Sequence, residues 1–473
     1  MNKIITFILL AFGLLFLSCN DDEKFSTSTA DKLTFSGDII SLDTVFSTIP
    51  SSTKSFWVYN KTNVGIKCNS VRLESGNQTG FRVNVNGLYL NSTSGYRAND
   101  VMLYHGDSLR IFVEVTSPVN NEVTPKKISD NLIFELESGV EQNVKLQAWS
   151  WDATKISSLH VNNDTTIDGR SKPILISGGI TIAKGAVLNI AAGSILYFDS
   201  AAGIDVYGRL NIAGSSDKEV VIRGSRLDKM FDYLPYDRMS GQWKGVHFYE
   251  SSYDNSIKYC DIHSAFNGIV CDSSDVDKVK LNIEESTIHN CQGYGLKSVN
   301  CNIALLNTQI TNTLNNCIYI DGGKANINAC TIAQFYPFDS NRGVAFCFLS
   351  NHALKSMSVF NTIVTGYADD QLYGLKSDGK DFNYQFSNSI IRTPVVKTSD
   401  SVYFSNVIYE STVNADSVGK KHFVKIDADN QYYDFHLSAK SAAIDKADKQ
   451  TAPTSDRNGK KRIGIPDVGA YEY

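Results

Sequence analysis

One short pattern returns seven times between residues 257 and 409: YCDI at 259–262, ESTI at 285–288, NTQI at 307–310, ACTI at 329–332, NTIV at 361–364, NSII at 388–391 and NVIY at 406–409. Its fourth position recurs after 26, 22, 22, 32, 27 and 18 residues. A loose period of this length marks a solenoid, in which each repeat buries its apolar side against the next repeat. The apolar residues alternate over short runs, which predicts strands rather than helices.

The first position of the pattern is asparagine in four repeats: Asn307, Asn361, Asn388 and Asn406. Asparagine tolerates the left-handed backbone conformation that a tight corner requires. Stacked asparagine side chains can also hydrogen-bond along a pile of coils. The pattern resembles the right-handed parallel β-helix of the pectate-lyase-like superfamily, over about half of the chain. This resemblance implies a fold and does not by itself imply an activity.

The expected β-helix spans residues 153–437. It opens with runs whose apolar residues are set two apart and separated by glycine: ILISGGITI at 174–182, AVLNIAAGSILYF at 186–198, GIDVYGRLNIAG at 203–214 and VVIRG at 220–224. Glycine suits the corners of a closely wound coil because it lacks a Cβ atom.

Residues 33–152 have a different pattern of apolar and polar residues. Five segments there alternate apolar and polar residues between turn residues: Ser55–Asn60, Gly80–Val85, Ser108–Val115, Asn131–Leu136 and Val144–Trp149. Several short strands at this density predict an immunoglobulin-like antiparallel β-sandwich. Cys68 stands alone, so a true immunoglobulin domain with its Cys–Trp–Cys arrangement is not implied. The whole chain is therefore expected to be all-β, a right-handed parallel β-helix preceded by a sandwich that acts as a spacer or docking module.

The N-terminus carries a leader. Residues 1–18 hold one lysine and an apolar core of 14 residues, which is short for a membrane span but suits a signal peptide. Cys19 follows, with an acidic run after it, and the segment resembles a bacterial lipoprotein signal with the surface-export signal of Bacteroidetes lipoproteins. The resemblance implies that Cys19 is lipidated, that residues 19–32 form a flexible tether, and that the protein faces the cell exterior from the outer membrane.

Charge and cysteine content exclude several partners. The 473 residues hold 45 Lys and Arg against 50 Asp and Glu, a net charge of −5, and no basic run predicts nucleic-acid binding. Seven of the nine cysteines fall between residues 260 and 347 without CxxC or paired-histidine spacing, so neither a metal site nor a cofactor is expected. Buried free thiols are favoured there, with disulfides between coils left open, because stacked strands lie ~4.8 Å apart.

Residues 226–243, RLDKMFDYLPYDRMSGQW, interrupt the coil rhythm, and we call this segment the insertion. It resembles an insertion of surface β-helix proteins from Bacteroidetes. Aromatic faces beside carboxylates suit sugar rings, which offer an apolar face and a rim of hydroxyls. The predicted carbohydrate contacts are Tyr233, Tyr236, Trp243, Asp232 and Asp237. The alternative is that these aromatic residues pack the insertion onto the barrel.

Strand register predicts a second candidate site. If Ile262 and Ile288 point inward at equivalent positions, their neighbours point outward, which stacks His263 on His289 with Asp261 beside them. Two imidazoles and a carboxylate on one face can transfer protons to and from a bound polysaccharide. The alternative is that these residues are solvated side chains without a function.

The C-terminal segment 438–473 contains SAAID at 441–445, DRNGKKR at 456–462 and PDVGAYE at 466–472. It resembles the closing segment of many secreted bacterial β-helix proteins. A solenoid needs a cap over its last coil, because unpaired strand edges would otherwise be exposed. We expect this closing segment to be the cap, with Arg462 paired with Asp467 or Glu472.

Three functions remain open. The first is a surface lipoprotein whose β-helix binds or presents a polysaccharide or a partner protein, touching the membrane only through its lipid. The second is a polysaccharide lyase or glycosidase, although the sequence lacks the carboxylate column of pectate lyases, and Asp369–Asp370 is its only Asp pair in a coil. The third is an architectural or adhesive rod.

Overall fold

The computed structural model describes residues 24–410 and 419–473. The predicted leader and Cys19 lie outside the described residues. One compact unit ends at Trp151, and a second spans Asp152–Tyr473. Strands dominate the described residues, and the helical elements there are three short 3₁₀ turns at Tyr236–Arg238, Ser399–Tyr403 and Lys420–His422. None of the helices in these ranges has the length and apolarity that a membrane span requires.

The first unit consists of two five-stranded sheets. One sheet contains, in spatial order, Thr34–Phe35, Lys54–Tyr59, Ser108–Val115, Phe81–Val85 and Leu88–Tyr89. The other contains Ile39–Phe46, Glu141–Trp151, Lys126–Leu136, Ile66–Leu73 and Arg97–Leu103. The inward side chains of both sheets form one apolar core, as the alternating pattern predicts.

One strand pair of this unit departs from the predicted antiparallel arrangement. Ile39–Phe46 and Glu141–Trp151 pair in parallel, whereas the other pairs are antiparallel. These two strands are far apart in the chain, so no hairpin turn sets their relative direction.

Residues 24–32 are the described part of the segment predicted to be a flexible tether, and they contact the sandwich. Phe25 forms a parallel bridge with Gly65, and its ring lies 5.8 Å from that of Tyr104. The Ser26 hydroxyl also donates a hydrogen bond to Asp31 at 2.5 Å. Phe25 is the one aromatic residue of this segment, and it supplies the apolar contact with the sandwich.

The second unit is a parallel β-helix, and its first face is an 11-stranded parallel sheet. The strands of this face are Thr154–Ile156, Ile174–Ile176, Ile195–Phe198, Val220–Gly224, Cys260–His263, Thr287–Cys291, Gln309–Thr313, Thr331–Gln334, Ile363–Gly366, Ile390–Ile391 and Ile408–Tyr409. Each strand pairs in parallel with the next one along the chain that belongs to the same face.

Two further rows of parallel strands complete each coil. The second face begins with Leu159–Val161, Ile180–Ile182, Ile204–Val206, Val246–Phe248 and Ile269–Cys271. The third face begins with Thr165–Ile167, Val187–Ala191, Arg209–Ala213, Asn255–Lys258 and Leu281–Glu284. The long strands Leu296–Leu306, Ile318–Asn328 and Phe346–Phe360 then run through both faces, followed by Leu372–Leu375, Phe382–Ser387 and Phe404–Ser405.

The recurring sequence pattern marks one corner and one inward position in each of seven successive coils. Its fourth residues are Cα partners from coil to coil, from Ile262 with Ile288 to Ile391 with Tyr409. Its first residues all have left-handed backbones: Tyr259, Glu285, Asn307, Ala329, Asn361, Asn388 and Asn406, with φ between 44° and 53°. Asn406 also donates to the side chain of Asn388 at 3.2 Å, so the predicted stacking of asparagines occurs there.

Six cysteines lie in the interior of the coils: Cys260, Cys271, Cys291, Cys301, Cys317 and Cys330. All eight described cysteines are free and buried, which confirms the preference for buried thiols. Burial raises the pKa of Cys291 and Cys330 to about 12, because a thiolate would lose its hydration. These thiols therefore pack as small apolar side chains.

The C-terminal residues cover a side of the β-helix rather than its end. An antiparallel hairpin, Phe423–Asp427 with Tyr432–Leu437, is the terminal hairpin. Beyond it the closing segment runs back along the first face. Tyr471 donates to Gln309 at 2.6 Å, and Arg457 donates to Thr287 at 3.0 Å. The predicted cap over the last coil is wrong, because apolar side chains of this segment pack against first-face residues such as Ile363.

The predicted ion pair within the closing segment is present. Arg462 Nη1 lies 3.0 Å from Glu472, and the same nitrogen donates to the main-chain oxygen of Asp467 at 2.8 Å. Its Nη2 donates to Asn307 of the β-helix at 3.3 Å. Arg462 thus joins the segment to the face that it covers.

Candidate functional site

The three residues predicted for proton transfer come together on the first face. His263 and His289 are Cα partners on neighbouring strands, and their rings stack with centroids 4.7 Å apart at an angle of 22°. Asp261 Oδ1 lies 3.0 Å from His263 Nδ1 and 3.1 Å from His289 Nε2. One carboxylate oxygen therefore lies within hydrogen-bond distance of both imidazoles.

A residue predicted for sugar binding joins this cluster. Asp237, in the 3₁₀ turn of the insertion, places Oδ1 2.9 Å from His263 Nε2 and also forms an ion pair with Arg223. His263 therefore has a carboxylate at each ring nitrogen. Both nitrogens donate when the ring is an imidazolium, so this arrangement favours the charged form.

The charges of the cluster stabilise one another. Burial alone would lower the pKa of His263, but the charges of Asp261 and Asp237 and their hydrogen bonds raise it to about 9. Burial likewise disfavours the ionised carboxylates, yet the pKa of Asp261 is held well below its usual value by His263 and His289. The pKa of Asp237 is also lowered, by His263 and Arg223.

His263 is more buried than the register argument predicts. Strand alternation places it on the outer side of the first face, but only 5% of its surface is exposed. The insertion covers it, with the Ser264 hydroxyl donating to the main-chain oxygen of Asp237 at 2.7 Å. His289 remains partly exposed, with 25% of its side chain accessible. With Asp261 beside it, His289 can accept or deliver a proton.

Trp243 is not available to a sugar. Its exposure is 1%, its ring stacks on Phe198 at 4.8 Å, and its Nε1 donates to the main-chain oxygen of His263 at 2.8 Å. The carbohydrate prediction for this residue is therefore wrong. Its large apolar surface is used to anchor the C-terminal end of the insertion in the interior of the β-helix.

The other residues predicted to contact a sugar lie in different surroundings. Tyr233 is 52% exposed and stacks on Phe231 at 5.7 Å, and Asp232 between them is also exposed. Tyr236 lies with its ring centroid 3.4 Å from the guanidinium of Arg226. The five residues thus do not form one binding surface, and Asp237 alone among them bonds to a histidine ring.

A cavity of about 230 Å³ opens beside the histidines, and we call it the first-face cavity. Its lining combines the insertion, the first face and the terminal hairpin: Asp237, Arg238, Asp261, His263, His289, Asn290, Gln309, Thr311, Asn312, Gln431, Tyr432, Tyr433 and Phe435. Two buried amide oxygens of this lining, Asn312 Oδ1 and Gln431 Oε1, have no hydrogen-bond partner in the described residues. A buried acceptor without a donor is costly, so these atoms favour a bound polar group.

A groove that the sequence analysis missed lies on the second face. This second-face groove has a volume of about 460 Å³ and is lined by Gly203, Asp205, Lys244, Gly245, Val246, His247, Tyr249, Phe266, Asn267, Val270, Tyr294 and Lys297. One outward column runs through it along consecutive coils: Asp205, His247, Val270, Lys297 and Tyr319. At ~4.8 Å per coil this column is roughly 19 Å long.

Aromatic rings line the groove. Tyr249 stacks on Tyr207 at 4.1 Å and on His247 at 4.0 Å, and its hydroxyl donates to Asp205 at 3.1 Å. Burial together with the neighbouring Tyr207 and Asp205 raises the pKa of Tyr249, so the phenol keeps its proton. Phe266, on the rim, is 51% exposed. Flat apolar faces therefore stand beside hydrogen-bonding groups.

Two lysines give the groove positive charge. Lys297 Nζ lies 5.4 Å from the ring centroid of Tyr294 and 5.9 Å from that of Tyr319. Lys244 is exposed and lies beside Gly203. Neither lysine has a carboxylate within ion-pair distance in residues 24–410 and 419–473, although Asp272 in the same region pairs with His247 at 2.9 Å. Both ammonium groups can therefore bind an anion.

Comparisons with known proteins assign this chain to no family. No family model matches the sequence, and none of the curated proteins matches it. Among solved structures, the PapD-like domain 7 of human CEP192 is 11% identical over 28% of this chain and 94% of its own, with a TM-score of 0.18. A Porphyromonas gingivalis W83 protein of unknown function is 15% identical, over 29% of this chain and 60% of its own, with a TM-score of 0.19.

A third solved structure extends over more of the chain. The Agl-KA catalytic domain is 13% identical over 72% of this chain and 69% of its own, with a TM-score of 0.22. Scores this low carry no argument about fold or function.

Proposed function

We propose that the protein is a lipid-anchored surface protein of the outer membrane whose β-helix binds an acidic polysaccharide without cleaving it. The observation that supports the binding site is the second-face groove, where tyrosine rings stand beside two lysines that lack carboxylate partners in the described chain. The anchor rests on Cys19 and the sequence around it, which resemble a lipoprotein signal.

The chemistry of the groove fits such a ligand in two ways. A pyranose ring places its apolar C–H face on an aromatic ring and its hydroxyls on neighbouring polar groups, and Tyr249 with Asp205 offers both. A carboxylate or sulfate on the sugar finds Lys297 or Lys244, whose positive charge is not neutralised by a nearby acid.

The shape of the groove also favours a polymer. The outward column continues from coil to coil in register, so a chain laid along the β-helix axis meets a side chain at each step of ~4.8 Å. Groove residues such as Phe266 and Lys244 are exposed to solvent, which allows a polymer to lie along the groove. The first-face cavity, at about 230 Å³, has half the volume of the second-face groove, at about 460 Å³.

Calorimetric titration with heparin fragments, polygalacturonate fragments and neutral dextran tests the proposal. We expect one or both acidic polymers to bind, with an affinity that falls as salt rises, because the charges are exposed. Tyr249→Ala should weaken binding by about tenfold, which corresponds to a lost stacking contact of ~1.4 kcal/mol. Lys297→Gln should weaken binding and reduce its salt dependence.

Tyr233→Ala is the matched control, since Tyr233 is an exposed tyrosine of the insertion on the same unit. It should leave the affinity unchanged. Loss of binding with Tyr233→Ala but not with Tyr249→Ala would place the ligand on the insertion instead. Failure of both acidic polymers to bind would contradict the proposal. If dextran also failed to bind, an architectural rod would be favoured, and release of new reducing ends would favour an enzyme.

A further inference from the structure

Two imidazole nitrogens converge on one carboxylate oxygen at the first-face cavity. Asp261 Oδ1 is 3.0 Å from His263 Nδ1 and 3.1 Å from His289 Nε2, and all three atoms lie within 4.8 Å of one another. Ligand bonds of 2.0–2.1 Å in a tetrahedral zinc site place neighbouring donor atoms roughly 3.3 Å apart. The two nitrogen–oxygen distances are therefore already close to the spacing that a metal ion needs.

The backbone holds these donors in place. His263 and His289 are Cα partners on hydrogen-bonded parallel strands, and Asp261 is two residues from His263 on the same strand. Small rotations of the side chains are enough to open a position between the three donor atoms. Residue type also fits, because two histidines and one carboxylate form a common donor set for transition metals.

The surroundings of His263 match the outer shell of a metal site. A metal-bound histidine usually donates its other ring N–H to a carboxylate, which fixes the tautomer and the ring orientation. His263 has Asp237 at 2.9 Å from Nε2, on the side of the ring away from Asp261, and Arg223 pairs with Asp237. Nδ1 is thereby the nitrogen that can face a metal.

The cavity supplies a second, independent observation. Asn312 is 1% exposed and Gln431 is 8% exposed, yet the side-chain oxygen of each has no hydrogen-bond partner in the described residues. Both residues line the cavity that His289 and Asp261 face. Buried acceptors of this kind fit the hydrogens of water molecules bound to a metal, which would occupy the coordination positions that the protein leaves open.

We propose that Asp261, His263 and His289 form a binding site for a divalent transition metal ion, with Zn²⁺ as the ion that best fits the donor set. The ion takes the place of the protons now shared between the imidazoles and the carboxylate, and those protons leave to solvent. Asp237 is a positioning residue that orients His263. Sequence spacing predicted no metal site, because the two histidines are on successive coils, 26 residues apart.

Calorimetric titration of the chelator-treated mature protein with Zn²⁺, and Co²⁺ absorption in the visible range, test this site. We expect one ion per chain and a tetrahedral Co²⁺ spectrum. His289→Ala and Asp261→Asn should each weaken Zn²⁺ binding at least ~100-fold, since each removes a direct ligand. Asp237→Asn should weaken it by ~10- to 100-fold, the range seen for outer-shell partners.

His352→Ala is the matched control, because His352 is also beside a carboxylate, with Nδ1 3.2 Å from Asp321. It should leave Zn²⁺ affinity unchanged, and circular dichroism checks that each variant is folded. Absence of stoichiometric binding would overturn the proposal. Equal affinity in wild type and a folded His289→Ala variant would overturn it as well. The readouts use the metal alone, so they are independent of whether a polysaccharide binds.

Discussion

Trp243→Ala is expected to destabilise the β-helix unit by about 3–5 kcal/mol, the usual cost of removing a buried tryptophan from a core. The side chain is 1% exposed, stacks on Phe198 at 4.8 Å and donates to the main-chain oxygen of His263. Its loss leaves a cavity inside the coil and removes a hydrogen bond from the main-chain oxygen of His263. Urea unfolding of the protein, followed by circular dichroism, measures the effect.

Trp57→Ala is the control for this substitution. Trp57 is 39% exposed on the sandwich, so its replacement should cost less than about 1 kcal/mol. A stability loss for Trp243→Ala no larger than for Trp57→Ala would contradict the anchoring role. If glycan affinity fell while stability stayed unchanged, Trp243 would be a sugar contact after all.

Arg462→Met is expected to cost about 3–5 kcal/mol, because it removes one partner of a buried ion pair and leaves the other charge uncompensated. The Arg462 side chain is 1% exposed and donates to Glu472, to the main-chain oxygens of Asp467 and Gly469, and to Asn307. The closing segment should also become sensitive to proteases. Thermal unfolding and limited proteolysis measure the two effects.

Lys460→Met separates this effect from a general loss of charge. Lys460 is exposed and its ammonium donates to the main-chain oxygen of Tyr473 at 2.7 Å, so we expect a change within about 0.5 kcal/mol. Unchanged protease resistance in Arg462→Met would mean that apolar contacts alone hold the closing segment on the first face.

The β-helix was predictable because its signal is repeated. Each copy of the pattern places a left-handed corner before an inward apolar residue, and the observed Cα pairing of Ile262, Ile288 and Ile310 follows that alignment. The same alignment predicted that His263 stacks on His289. Local periodicity is sufficient for both, because stacked coils bring equivalent positions together.

Contacts between elements with no shared period were not predictable. The second-face groove joins Asp205 to His247 across 42 residues, since the insertion separates their coils, and no motif indicates that they are neighbours. The burial of His263 depends on where the insertion folds. The closing segment likewise resembled a cap, but the packing of its apolar residues against the first face could not be inferred from its composition.

The groove exists only if the coils stack in parallel, and the outward column tests this stacking most directly. The column consists of Asp205, His247, Val270, Lys297 and Tyr319. Pyrene attached at Val270→Cys and Lys297→Cys should give strong excimer fluorescence, because these positions lie on adjacent strands about 4.8 Å apart. Pyrene at Asp205→Cys and Tyr319→Cys, roughly 19 Å apart at four coils, should give monomer fluorescence only. Excimer emission from the distant pair, or its absence from the adjacent pair, would contradict the parallel stacking on which the groove depends.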